Sequence, residues 1–321
     1  MQIIIVMPVY DDWESAALLC TAIDECLLRY EPVGITILLV DDGSNEIAPD
    51  DFPGPPVKAI QSIKVLRLRR NLGHQRAIAV ALAYVQQKMP GDAVLVMDGD
   101  GEDRPEDVPR LIEAFVTSPN VVTVFAERGR RIEGTLFKMF YVVYRVLHRL
   151  VTGRPIRFGN FSLLPRQHLN RVVAYPELWN HYAAAVLKAQ VPYKTIRADR
   201  GKRLRGSSKM HFVSLVIHGL SALFASYEVV STRLLIGAAL LGLTFSLLLF
   251  VVIGVRLFTK LAIPGWATYT TGLVFIVVTQ SVAALLTIIF SVMMSRNNLG
   301  FLPIRDYEYF VAECVPLRGN E

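Results

Sequence analysis

Four acids fall within six residues at Asp98-Gly99-Asp100-Gly101-Glu102-Asp103, directly after the apolar run Val94–Met97. A short apolar run bounded by glycine and charge reads as a buried strand of an α/β sheet, and ligands of such sheets bind at the carboxyl ends of strands. Asp98 and Asp100 leave that end together with Glu102 close by, so three hard oxygen donors can share one divalent cation. Mg2+ or Mn2+ suits them, because these ions take one or two carboxylates and complete their shell with water and phosphate oxygens. Taken alone, the segment also reads as a solvated acidic turn.

The elements that must position these acids are legible in the first 126 residues. Five apolar runs, Ile3–Val6, Ile35–Val40, Lys64–Leu68, Val94–Met97 and Val121–Phe125, alternate with helical stretches at Trp13–Tyr30, Gly73–Lys88 and Pro105–Val116. Such alternation predicts a mostly parallel sheet with helices on both faces. Three more polar clusters then lie at the carboxyl ends of strands: Pro8-Val9-Tyr10 after the first, Asp41-Asp42-Gly43-Ser44 after the second, and Asn71-Leu72-Gly73-His74 after the third. Each is a common turn or helix entry by itself.

Charge and hydropathy divide the rest of the 321-residue chain. Residues 1–120 carry 10 Lys and Arg against 19 Asp and Glu, residues 121–212 carry 18 against 4, and residues 213–321 carry 6 against 5. A strongly basic block directly ahead of apolar segments suits anionic headgroups or a phosphorylated substrate held at a surface. Nucleic acid is not the expected partner, because no reading module or aromatic stacking platform accompanies the charge. Leu234–Val255 and Gly272–Met294 carry no charge, and each is long enough to cross a hydrocarbon core about 30 Å thick. With Pro264-Gly265-Trp266 between them they predict a helical hairpin. The positive-inside rule puts the basic N-terminal part, Arg233 and Arg296 on the cytoplasmic side. The expected organisation is a catalytic domain over 1–210, an interfacial helix over 211–232, two spanning helices (234–257 and 272–294) within 233–295, and a cytoplasmic tail over 296–321. Apolar residues recurring every three or four positions from Leu136 to Leu150 predict an amphipathic helix over 134–151, either core-facing or interfacial. Met1–Val6 reads as a strand, so no cleaved signal is expected. Cys20, Cys26 and Cys314 have no metal-type spacing and suit a reducing compartment.

Taken together, the acidic cluster and the strand-end motifs resemble family 2 glycosyltransferases of the Rossmann-like GT-A fold. The two C-terminal apolar helices narrow the resemblance to polyprenyl-phosphate glycosyltransferases, the group that includes dolichyl-phosphate mannose synthase. The resemblance implies that Pro8, Tyr10, Asp12 and Asp42 contact the nucleotide, and that Asp98 and Asp100 hold a metal and the diphosphate. Glu102, where many relatives have Gln, makes the metal site more anionic than usual. Arg128 in Glu127-Arg128-Gly129-Arg130-Arg131, and Arg203 and Lys209 in Arg203-Leu204-Arg205-Gly206-Ser207-Ser208-Lys209, match elements that face donor and acceptor phosphates. The implied reaction moves one sugar, with inversion, from a nucleoside diphosphate sugar to a polyprenyl phosphate at the inner membrane. UDP-glucose leads as donor, ahead of GDP-mannose, a UDP-hexosamine and a UDP-uronic acid, and the product would serve cell-envelope glycans such as lipopolysaccharide. Membrane lipids are expected partners, and self-association stays open.

Two positions depart from the family pattern. Phe158-Gly159-Asn160-Phe161-Ser162-Leu163-Leu164 stands where relatives carry Gly-Asp-Phe-Arg-Leu, so Asn160 replaces an acid sometimes proposed as a base and Ser162 replaces an Arg. An amide cannot take a proton, but a phosphate monoester with a second pKa near 6 is largely ionised at neutral pH and needs no base. Two competitors are less well supported. A processive polysaccharide synthase needs a Gln-x-x-Arg-Trp element that is not in the chain, and an inactive membrane scaffold has no reason to assemble Asp98, Asp100, Arg203 and Lys209.

Overall fold

A computed structural model describes residues 1–28, 33–49, 51–54, 57–128, 158–201, 203–205, 227–259, 265–297 and 300–318. Lys209, the expected amphipathic helix at 134–151 and residues 211–226 of the expected interfacial helix lie outside them. The chain divides into two compact units, one made of residues 1–138, 156–225 and 300–321 and the other of 139–155 and 226–299.

The first unit is built on an eight-stranded sheet. Its strands are β1 (Gln2–Val9), β2 (Gly34–Asp41), β3 (Ile60–Leu68), β4 (Ala93–Val96), β5 (Thr123–Arg128), β6 (Ser162–Pro165), β7 (Tyr193–Ala198) and β8 (Val311–Arg318), ordered β7-β5-β6-β4-β1-β2-β3-β8. The central strands run parallel, β1 with β2 and β4, and β2 with β3. β6 runs antiparallel to β4 and β5, and β8 antiparallel to β3. Alternate residues of the central strands feed two cores, as the period of a strand requires. Ile3, Ile5 and Met7 pack with Leu19 and Ile23 of α1 (Trp13–Leu27) and Leu111 of α3 (Asp107–Val116). Ile4 and Val6 face the other way, onto Ile78, Leu82 and Val85 of α2 (His74–Lys88), with Leu169 and Val172 of α4 (Arg166–Val172) and Tyr182 of α5 (Tyr182–Lys188) completing that core. Burial on both faces explains why β1 and β2 read as nearly continuous apolar runs.

The five expected strands and three expected helices form, and three further strands were not anticipated. β6 has only four residues, too few to show a period. β7 lies at one sheet edge with Lys194, Thr195 and Arg197, the charged composition that discourages edge pairing. β8 corrects the expected tail over 296–321: Val311–Arg318 returns to the sheet and pairs with β3 at the other edge, with Arg67 Nη1 on Glu313 Oε1 at 2.5 Å.

The second unit contains α6 (Tyr227–Phe258) and α7 (Trp266–Asn297). Both are long and apolar enough to cross a membrane, over Val229–Phe258 and Thr268–Met294. Their exposed side chains are mostly apolar, with Phe250 70% and Phe290 69% exposed. The hydroxyls of Thr244, Ser246, Thr279, Ser281 and Thr287 each donate to the carbonyl four residues earlier at 2.8 Å. Self-satisfied polar groups of this kind are what a helix needs where water is absent.

Candidate active site

The acidic cluster sits where β4 ends, next to the end of β1. Gly99 is required there, since a Cβ at that position would stand 2.8 Å from the Pro8 carbonyl oxygen. Asp98 is held at its backbone by Asp103, whose buried carboxylate accepts the Asp98 N–H at 2.9 Å. Its side chain meets His74, the first residue of α2, with Nε2 3.0 Å from Oδ1. Partial desolvation opposes protonation of His74, but the carboxylates of Asp98, Asp100 and Asp103 outweigh it and hold the imidazole above its ordinary pKa. Desolvation raises the Asp100 pKa, and the neighbouring charges of Asp98 and Glu102 add to it against the opposing Glu102 N–H and Arg203. Carboxylates crowded in this way favour a cation among them.

A second segment is docked on this loop. Gly201 N–H donates to Glu102 O at 2.8 Å and Leu204 N–H to Asp100 O at 3.1 Å. Two guanidiniums follow: Arg203 Nη2 bonds Asp100 Oδ2 at 2.6 Å, and Arg200 bonds Glu102. Arg203 also lies 4.0 Å from Asp12. The approach is close because both segments use glycine: a Cβ on Gly201 would stand 2.6 Å from Gly101 O, and Gly101 adopts φ +83°.

The expected three-carboxylate metal site is therefore corrected. Glu102 is drawn onto Arg200, and among the described residues no group of three or more His, Cys, Asp and Glu stands together as a complete ligand set. Asp98 and Asp100 remain, both mostly screened from solvent at 19% and 17% side-chain exposure. Two carboxylates beside Arg203 fit an ion that draws its other ligands from a diphosphate and water.

On the expected nucleotide side, Pro8 and Tyr10 lie at the end of β1, with Tyr10 39% exposed, and Asp12 precedes α1. Asp42 is turned inward instead. Its two oxygens accept the N–H groups of Leu72 (2.7 Å) and Gly73 (2.9 Å), tying the end of β2 to the start of α2. Burial raises its pKa while those two bonds oppose the rise. Arg128 closes β5 with its backbone paired to Ala198.

Sequence reasoning did not anticipate the partners of Asn160. Its Oδ1 accepts from Gln75 Nε2 at 3.1 Å, and its Nδ2 lies 3.4 Å from Asp98 Oδ1 and 3.0 Å from His74 Nε2. The motif Asn71-Leu72-Gly73-His74 placed His74 at a helix entry, but nothing local links it to Asp98 or Asn160.

With this geometry in place, comparison with known proteins is decisive about family. The sequence profile of Glycosyl transferase family 2 matches residues 4–172, which span β1 to α4. The chain belongs to glycosyltransferase family 2. It is thus a glycosyltransferase with a GT-A catalytic unit. It is 28% identical over 289 residues to the glycosyltransferase YkcC of Bacillus subtilis, covering 84% of this chain and 81% of that one. It is 30% identical over 271 residues to the undecaprenyl-phosphate 4-deoxy-4-formamido-L-arabinose transferase of Pectobacterium atrosepticum, covering 79% and 76%. Among solved structures, the mannosyl-3-phosphoglycerate synthase of Rubrobacter xylanophilus aligns with a TM-score of 0.48 at 16% identity, over 71% of this chain and 73% of that one.

Proposed function

We propose that this glycosyltransferase moves one sugar from a nucleoside diphosphate sugar to a polyprenyl phosphate at a membrane surface, with Asp98 and Asp100 holding Mg2+ or Mn2+. The observation that carries the reading is the docking of Arg200 and Arg203 on the Asp98–Asp103 loop, in a chain that also bears two helices of membrane-crossing length. The named relatives that act on undecaprenyl phosphate support the acceptor class.

A nucleoside diphosphate leaves with concentrated negative charge, and a bound divalent ion would neutralise part of it. Arg203, already beside Asp100, supplies a further fixed cation, and preorganised charge of this kind lowers the barrier without reorganisation. Asp98 and Asp100 orient the diphosphate from the end of β4. Arg128 and Lys209 are proposed to face phosphates as well, and Pro8, Tyr10, Asp12 and Asp42 to shape the nucleotide side. No residue need remove a proton from an acceptor already ionised. The lipid phosphate would then approach from the membrane surface, with the catalytic unit and both termini cytoplasmic.

Asp98→Asn and Asp100→Asn test the metal reading, because each removes a charge with little change in volume. Both should abolish transfer and leave folding and insertion intact, and EDTA should act likewise until Mg2+ or Mn2+ is restored. Transfer that persists in excess EDTA would contradict the assignment.

A further inference from the structure

Asn160 is held by a closed ring of hydrogen bonds. Ser162 Oγ donates its one proton to Asn160 O at 2.9 Å, so in its 2.6 Å contact with the Tyr182 hydroxyl it must accept. Tyr182 N–H donates to Gln75 Oε1 at 2.8 Å. That leaves Gln75 Nε2 as donor to Asn160 Oδ1 at 3.1 Å, and the ring closes on the residue where it began. Ser162 and Tyr182 are fully buried, so the two hydroxyl bonds are shielded from water and their direction is set from inside the core.

One consequence is forced. With Oδ1 taken by Gln75, the amide of Asn160 can only turn Nδ2 toward the His74–Asp98 pair, 3.0 Å from His74 Nε2 and 3.4 Å from Asp98 Oδ1. Asp98 Oδ1 therefore faces the Asn160 amide N–H, whose direction is fixed through Gln75 by the Tyr182 backbone N–H, alongside the Nε2 of His74. The two departures from the family pattern, Asn160 and Ser162, belong to the same ring.

We infer that Asn160 is a positioning residue: Gln75, fixed by the Tyr182 backbone N–H, aims the Asn160 amide as a hydrogen-bond donor that orients the Asp98 carboxylate toward the metal and diphosphate of the donor substrate, while Ser162 and the Tyr182 hydroxyl hold the Asn160 backbone. This rests on the reading of Asp98 as a ligand given above. It assigns to position 160 a donor's work on the carboxylate, in place of proton abstraction from the acceptor.

Gln75→Glu separates this from a general structural role. Glutamate keeps an oxygen for Tyr182 N–H, but its second oxygen accepts where Gln75 donated, so the Asn160 amide must flip and present Oδ1 to Asp98. The readout is Mn2+ binding to the full-length protein with UDP present, followed by electron paramagnetic resonance, together with the melting temperature. Gln75→Glu should weaken Mn2+ binding roughly tenfold, the scale of one hydrogen bond lost and one repulsion gained, with a melting temperature near wild type. Asn160→Leu should weaken it similarly. In the Asn160→Leu background, Gln75→Glu should add less than about twofold, because no amide remains to flip. Wild-type Mn2+ affinity in both single variants, or losses that multiply in the double variant, would overturn the proposal. Should Gln75→Glu fail to fold, Asn160→Leu with wild-type affinity still would. Asp98→Asn is the reference: if it binds Mn2+ as tightly as wild type, the ligand reading itself fails, and if it alone loses Mn2+, only the positioning inference does.

Discussion

Replacing Gly201 with alanine should disconnect the arginine-bearing segment from the acidic loop without altering any charge. The added Cβ would lie 2.6 Å from Gly101 O and 3.3 Å from Glu102 O, two backbone atoms that no rotamer change can move away. The segment must lift instead. At stake are the Gly201–Glu102 and Leu204–Asp100 backbone bonds, at about 1 kcal/mol each, and the Arg203–Asp100 charge-assisted bond at about 1.5–3 kcal/mol. Losing half to all of that sum, roughly 2–5 kcal/mol, would lower kcat/KM for the sugar nucleotide by about thirtyfold to more than a thousandfold if the same contacts hold in the transition state. The same contacts stabilise the folded unit, so the melting temperature should fall as well, by roughly 2–4 °C for each kcal/mol lost. Gly300→Ala is the control, since a Cβ there meets nothing within 4 Å. The assay is initial-rate transfer at varied donor concentration. Wild-type kcat/KM in Gly201→Ala would refute the argument that this contact assembles the site.

Two further outcomes follow from other parts of the chain. His168 is buried with Nδ1 2.9 Å from Thr123 Oγ1, and desolvation, aided by the Arg171 charge, lowers its pKa from 6.5. The unfolded chain thus takes up a proton that the folded one refuses, so stability is full above pH 6.5 and declines below it, by up to about 1.4 kcal/mol per pH unit. His168→Gln should flatten that decline in melting temperatures taken between pH 7.5 and 5, and an unchanged slope would remove His168 as its source. For the proposed topology, a cysteine placed at Trp266, ahead of the second span, should react with an impermeant maleimide outside intact cells while one at Gln2 should not. The reverse pattern would invert the orientation.

The parallel core was readable because burial on both faces leaves apolar runs such as Ile3–Val6 and Ile35–Val40 with no other explanation. β8 was not, since Val311–Arg318 finds its partner β3 about 250 residues earlier and carries Pro316, a residue that argues locally against a strand. Asp98, Asp100 and Arg203 stood out by residue type at a strand end and in a basic motif. Their pairings did not: what Glu102 and Asp42 do is settled by Arg200 and by the amides of Leu72 and Gly73, contacts made by folding. Asn160 read only as a missing base, because its meaning lies in Gln75 and Tyr182, neither of them near it in sequence.

The proposed function is tested most directly by following the sugar. Purified full-length protein with Mg2+ or Mn2+ is given undecaprenyl phosphate and labelled nucleotide sugars in turn: UDP-glucose, GDP-mannose, a UDP-hexosamine, a UDP-uronic acid and a 4-formamido-arabinose donor. One donor should send label into the lipid phase, one sugar per lipid, only when undecaprenyl phosphate is present and not with Asp98→Asn. Label appearing in a polymer, or entering the lipid phase equally well with Asp98→Asn, would contradict the account.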